Sequence, residues 1–247
     1  MIKFYLRHQV TPYVILFIER DGSTFLTSLL ISHPEIKAVY ERFAVLKQKG
    51  ATSKEQLEWA RSHFTPKLVN RHATSGFKTK LVDVLDLDGF AQVLREKNCR
   101  IIQMQRDNKV KAVVSRINAQ RLYDASGHWN LYDKKDRMPS FVIDPGIFDQ
   151  YLQEREQSES ELIAYVNSLN LSTLKIIYED LLVNRKKVLD QVFSHLNVQP
   201  HPLVSKTLKH TSDNLKDVIK NFDELRSQYK GTPYEPMFDQ VLVPEVY

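Results

Sequence analysis

The chain of 247 residues is 42% hydrophobic and 26% charged, a balance that fits a folded protein in water and excludes a disordered or membrane-embedded class. Its net charge of +5 points to an anionic partner, but no run of five or more like charges concentrates it, so a nucleic-acid-binding tail is disfavoured and a discrete anion pocket is expected. One cysteine, Cys99, excludes an intramolecular disulfide framework and a multi-cysteine zinc site, and the eight histidines show no HExxH spacing, so no metal is expected.

No stretch approaches transmembrane length and residues 1–10 lack the apolar segment of a secretory signal, so a cytoplasmic protein without an integral membrane segment is expected. The length accommodates one large core and no linker divides the chain, which predicts a single α/β domain over residues 1–247. The uninterrupted apolar run at 13–18 predicts a strand buried on both faces. After the polar turn at 19–24, Phe25, Leu26, Leu29 and Leu30 recur at helical spacing until His33 and Pro34. A short strand at 76–82 precedes a helix over 88–97. A second clear strand, at 100–105, leads into a helix with Val110, Val113, Val114 and Ile117 on one face. Asp144 as N-cap and Pro145 at the first helical position open a long helix through Leu169. The middle of that helix, 153–161, is almost wholly polar, which suits either a solvated face or the arm of a helical hairpin. A third strand at 174–178 precedes a helix with Leu189, Val192, Phe193 and Leu196 on its apolar stripe. Finally Leu215, Val218, Ile219, Phe222 and Leu225 predict one amphipathic helix, with Thr211, Ser212 and Asp213 as candidate caps. This alternation predicts an α/β fold: a three-layer P-loop-like domain with a central, mainly parallel sheet flanked by helices.

The turn after the first strand carries the chemistry. Gly22 allows close backbone approach, Ser23 and Thr24 bring hydroxyls to a helix N-terminus, and Arg20 brings a fixed cation with several N–H donors; together these favour a phosphate. A plain helix cap would use the same Ser-Thr pair. No Gly-Lys pair exists anywhere in the chain, so the GxxxxGK[ST] motif of a P-loop NTPase is missing.

With Arg20, Gly22, Ser23 and Thr24 in this order, the chain resembles the sulfotransferases that use 3′-phosphoadenosine-5′-phosphosulfate (PAPS), in particular bacterial carbohydrate sulfotransferases of the trehalose and nodulation-factor type. The resemblance continues through Gly76-Phe77-Lys78, through Arg106-Asp107-Asn108 to Ser115, through Tyr178-Glu179-Asp180-Leu181, and through the segment from His210 to Leu215 with Asn221, Phe222 and Asp223. It implies that Arg20, Asp21, Gly22, Ser23, Thr24 and Phe25 hold the 5′-phosphosulfate, and that Arg106 and Ser115 hold the 3′-phosphate. Tyr178 would touch the adenine, and Thr211, Ser212 and Asn214 would close over the nucleotide. The desulfated product would be adenosine 3′,5′-bisphosphate (PAP). For Tyr178, core packing explains the residue equally well; for the 211–214 segment, helix capping does. Asp21 stands where relatives carry a small neutral residue, and a carboxylate there either pairs with a base or repels the donor.

An acceptor hydroxyl must lose a proton as it attacks sulfur. Glu41 matches the family's glutamate after the first helix, although Tyr40 replaces the glycine that usually precedes it, and a surface pair with Arg42 is the plainer role. His33 competes as base, or caps carbonyls. Lys78 matches the lysine near the sulfate, or is a solvated strand-edge cation. Segments 45–70 and 123–140, the latter with Trp129 and Tyr132, are candidate linings for a small-molecule, glycan or glycolipid acceptor. The rival functions are an atypical P-loop kinase and a non-catalytic module binding nucleotides or sulfated glycans. Oligomeric state is unreadable from the sequence.

Overall fold

The computed structural model describes residues 10–67, 71–129, 137–204 and 212–242. In chain order the elements are β1 (Thr11–Leu16), α1 (Ser23–Ile31), β2 (Ile36–Val39), α2 (Arg42–Gln48), α3 (Ser53–Phe64), β3 (Thr74–Thr79), α4 (Leu87–Glu96), β4 (Arg100–Gln105), α5 (Lys109–Ser126), α6 (Pro145–Leu169), β5 (Thr173–Ile177), α7 (Tyr178–Val183), α8 (Arg185–Leu196), α9 (Phe222–Gln228) and α10 (Glu235–Asp239). The strands form one sheet in the order β2-β3-β1-β4-β5, with every neighbouring pair parallel. Among the described residues no helix is long and apolar enough to cross a membrane.

The unbroken apolar run near the start becomes β1 because the strand sits centrally and needs hydrophobic side chains on both faces. Tyr13, Ile15 and Phe17 turn to one side, where they meet Leu26, Leu29 and Leu30 of α1 and Val192 and Phe193 of α8. Val14, Leu16 and Ile18 turn to the other and meet Leu57, Ala60 and Phe64 of α3, Phe90 of α4 and Leu162 of α6. Each such side chain, fully buried, contributes about 1.5–3 kcal/mol relative to exposure. A third apolar cluster joins α5, α6 and the C-terminal segment through Val110, Val114, Phe148, Ile219 and Phe238.

The predicted strands at 13–18, 76–82, 100–105 and 174–178 correspond to β1, β3, β4 and β5. The predicted long helix is α6, opened by the Asp144 carboxylate accepting from the Ile147 amide at 3.0 Å and closed at Asn170, which turns left-handed at φ 52. The single helix expected over 215–225 is broken. Leu215–Asp217 is a 3-10 turn; Phe141 then pairs with the chain at Ile219, and α9 starts only at Phe222. The Phe141 amide donates to the Val218 carbonyl at 2.9 Å, so backbone groups that would continue a helix serve this bridge instead.

The loops that matter leave the C-terminal ends of the strands. β1 lies between β3, reached through β2 on one flank, and β4 on the other, so the chain's winding reverses beside β1. At such a point adjacent loops diverge and leave a crevice. The loop after β1 therefore faces the loop after β4.

Candidate active site

The turn between β1 and α1 uses two left-handed residues in close succession, Arg20 at φ 70 and Gly22 at φ 79. A β-carbon on Gly22 would lie 2.2 Å from Cδ2 of Tyr178, so only glycine fits against that ring. α1 begins at Ser23 after Gly22, an N-cap residue with no side chain to cap the first turn. The amides of Ser23, Thr24 and Phe25 have no acceptor within the helix, and their partial positive charge is directed out of the α1 N-terminus.

Lys78 enters this corner from β3 with its side chain 1% exposed. Its ammonium donates to Thr24 Oγ1 at 2.7 Å and Ser23 Oγ at 3.2 Å, and it pairs with Glu41 Oε1 at 2.9 Å. Burial lowers the Lys78 pKa, and the charge of Glu41 opposes that shift. Glu41 stands at the N-terminus of α2, with Lys80 Nζ 3.9 Å from its second oxygen. It thus points at the loop rather than forming a surface pair with Arg42, and Lys78 is an enclosed cation rather than a solvated strand-edge one. Tyr40 is exposed and places its ring 5.7 Å from the same ammonium.

A second basic group lies where the turn meets β4 and α5. Arg20 Nε donates to Ser115 Oγ at 2.9 Å, and Arg106 Nη1 donates to the Arg20 carbonyl at 3.1 Å. Burial and the neighbouring Arg106 lower the Arg20 pKa to about 10, which leaves it charged at neutral pH. Burial also lowers the Arg106 pKa. Among the described residues Arg106 Nε is buried without a hydrogen-bond partner, and it lies 3.7 Å from a carboxylate oxygen of Glu179. The Arg106 guanidinium lies 4.9 Å from the centre of the Tyr178 ring. Tyr178 is therefore a wall shared by Gly22 and Arg106, and burial raises the pKa of its phenol. Glu179, whose role the sequence did not indicate, takes the amides of Asp107 at 3.0 Å and Asn108 at 3.2 Å, and so fixes the turn that presents Arg106.

Asp21, grouped above with the donor-binding residues, is buried and turned away from the α1 N-terminus. One carboxylate oxygen takes the Ile18 amide at 3.0 Å and the other binds Arg155 of α6. Phe25 packs against the core with Arg185 5.3 Å above its ring, so its amide rather than its side chain is available to the loop. Ser212 and Asn214 are occupied locally: Ser212 Oγ donates to Asp217 at 3.0 Å, and the Asn214 side chain both donates to Asp217 at 3.3 Å and accepts from the Lys216 amide at 3.2 Å. Thr211 and Tyr132 lie outside the described residues. His33 is at the opposite end of α1. Its Nδ1 accepts from the Glu35 amide at 3.0 Å, its Nε2 lies 2.9 Å from the Gln199 carbonyl, and burial lowers its pKa. That two-sided packing occupies both ring nitrogens at this end of the helix. Of the acceptor segments, 45–70 contributes α3 to the core, while Tyr123 and Trp129 form an exposed stack at 4.4 Å.

A family model described as the sulfotransferase domain matches residues 11–230. The chain belongs to the sulfotransferase family. Nodulation protein H of Rhizobium tropici is 24% identical to it over 240 residues, covering 92% of this chain and 93% of that one. Among solved structures, a sulfotransferase from Alicyclobacillus acidocaldarius aligns over 93% of each chain at 14% identity with a TM-score of 0.49. Mouse sulfotransferase SULT7A1 complexed with PAP aligns over 90% of this chain and 69% of that one at 16% identity with a TM-score of 0.44. As a sulfotransferase the protein moves a sulfuryl group to an acceptor, and the uncapped helix start beside Lys78, Arg20 and Arg106 has the donor set that a polyanionic sulfuryl carrier requires.

Proposed function

We propose that this sulfotransferase takes its sulfuryl group from PAPS and transfers it to a hydroxyl of a carbohydrate or glycolipid, the whole chain acting as one domain. The observation that carries the reading is the contact of Lys78 with Glu41 on one side and with Ser23 and Thr24 on the other. A proton acceptor and a leaving-group cation thereby stand at one helix N-terminus.

In this reading the amides of Ser23, Thr24 and Phe25, with the Thr24 hydroxyl, hold the 5′-phosphate, while Arg106, Ser115 and Arg20 hold the 3′-phosphate. Arg20 was expected at the 5′-phosphate; its bond to Ser115 supports the 3′ side. Glu41 takes the acceptor's proton as its oxygen bonds to sulfur. The bond from sulfur to the bridging phosphate oxygen breaks, and Lys78 neutralises the charge that collects there. Positioning and charge stabilisation supply the rate, as in phosphoryl transfer, and the scheme needs no metal. The resemblance to trehalose and nodulation-factor enzymes and the likeness to nodulation protein H support a carbohydrate acceptor. The buried single cysteine, Cys99, supports a reducing, cytoplasmic setting.

The experiment is transfer of label from PAPS to pooled glycans and glycolipids, with PAP binding followed by calorimetry. Label transfer with saturable PAP binding supports the reading. PAP binding without transfer to any acceptor supports a binding module, and magnesium-dependent ATP turnover supports a kinase.

A further inference from the structure

Arg155 comes from the middle of α6, more than a hundred residues from the β1 turn, yet its side chain is 5% exposed and ends in that turn. It binds the Asp21 carboxylate and donates through Nη1 to the Glu19 carbonyl at 3.1 Å. Asp21 passes the restraint on, because its other oxygen takes the amide of Ile18 and its own amide donates to the Ile18 carbonyl at 3.2 Å. Arg155, Asp21 and Ile18, two residues past β1, therefore close a ring that ends directly before Gly22 and the start of α1.

We infer that Arg155 is a positioning residue for the donor loop, holding the Asp21 carboxylate inward so that the start of α1 faces the donor with an undiminished positive field. The inference rests on the proposed donor site. The physical argument has two parts. A buried carboxylate one residue from an anion-binding glycine repels the donor unless a cation neutralises it, and Arg155 supplies that cation. Arg20 is also held left-handed at φ 70, a conformation costly for residues other than glycine, and an arginine that reaches both Asp21 and the Glu19 carbonyl from a long helix restrains the turn. Arg155 touches no reacting atom in this scheme and acts only through the loop.

The test uses the full chain with Arg155→Ala, Arg155→Lys, and the double variant Asp21→Ser with Arg155→Ala. Folding is checked by circular dichroism. In Arg155→Ala, the KM for PAPS and the Kd for PAP should rise at least about tenfold, equivalent to about 1.4 kcal/mol, with kcat changing less than about threefold. Arg155→Lys should recover part of the loss, and the double variant, which removes both charges, should bind PAP better than Arg155→Ala does. Mere loss of folded protein would lower apparent kcat and leave KM unchanged. Independently of any nucleotide, amide hydrogen exchange over residues 16–25 should accelerate about tenfold or more in Arg155→Ala and partly recover in Arg155→Lys. Unchanged exchange in Arg155→Ala, or a double variant no better than the single one at holding PAP, would overturn the inference. If wild-type protein fails to bind PAP, the donor assignment fails, and the exchange measurement still decides whether Arg155 holds the loop. If Arg155→Ala does not fold, Arg155→Lys and the double variant carry the same comparison: a double variant that folds and binds PAP supports the neutralising role, and one that also fails to fold overturns it in favour of a structural part.

Discussion

Lys78 and Glu41 meet at 2.9 Å beside the start of α1, the lysine side chain 1% exposed and the glutamate 32%. A lysine so enclosed, and also donating to Thr24 and Ser23, joins the start of α2 to the start of α1. Burial of this cation is a cost the fold bears, and in the proposed mechanism it stabilises the charge on the leaving group.

Glu41→Gln keeps the shape of the side chain and an oxygen that accepts from Lys78, but removes its capacity to take a proton. Turnover of labelled PAPS should fall by about 10²–10⁴-fold, while PAP affinity measured by calorimetry stays within about threefold of wild type. Retained turnover would remove Glu41 as base.

Lys78→Met separates stability from activity. Burial lowers the folded-state pKa of Lys78 below the ordinary lysine value. Between the two values the unfolded chain binds a proton that the folded chain does not, so stability rises with pH through that window, and below it the folded state bears the burial cost in full. Removing the ammonium should therefore hold or raise Tm at neutral pH while turnover falls by about a hundredfold. Thermal unfolding across neutral and alkaline pH, alongside initial rates, checks both halves.

Arg106→Ala should erase discrimination at the 3′-phosphate. The affinity ratio between adenosine 3′,5′-bisphosphate and adenosine 5′-monophosphate should shrink by about 10–100-fold, the worth of a charge-assisted hydrogen bond of about 1.5–3 kcal/mol. Ser115→Ala should act in the same direction with about 0.5–1.5 kcal/mol. Competition of both nucleotides against labelled donor reads the ratio directly.

His33→Gln should lower Tm yet leave kcat and its pH profile within about twofold of wild type. Both ring nitrogens are engaged at the far end of α1, and burial lowers the pKa of the ring. A shifted pH profile would restore His33 as a proton carrier.

β1 was legible because burial on both faces writes it as an unbroken apolar run, and β4 because Ile101, Ile102 and Met104 stand between turn-forming and helical segments. β2 was not: Ile36–Val39 is a short edge strand with Lys37 exposed, and nothing in four residues distinguishes it from a turn after Pro34. The polar middle of α6 was undecidable as composition, yet its spacing held the answer. Phe148, Leu152, Arg155, Glu159, Leu162, Val166 and Leu169 recur at alternating steps of four and three, and all are buried. Arg155 and Glu159 thus sit on the core-facing seam, and a charge in that position demands a partner. The partners are remote in sequence, Asp21 for Arg155 and Lys109 for Glu159 at 3.1 Å, so only the folded chain reveals them. Asp21, unusual within its turn, had its counterpart in that seam. The break at Val218–Asn221 was hidden for the same reason, because the pairing that interrupts the helix belongs to Phe141.

The most direct measurement is a crystal structure of the protein soaked with saturating PAP. The account predicts the 5′-phosphate on the amides of Ser23, Thr24 and Phe25 and the 3′-phosphate between Arg106 and Ser115, with Glu41 facing the open side. A nucleotide bound elsewhere, or a crevice that stays empty at saturation, would contradict it.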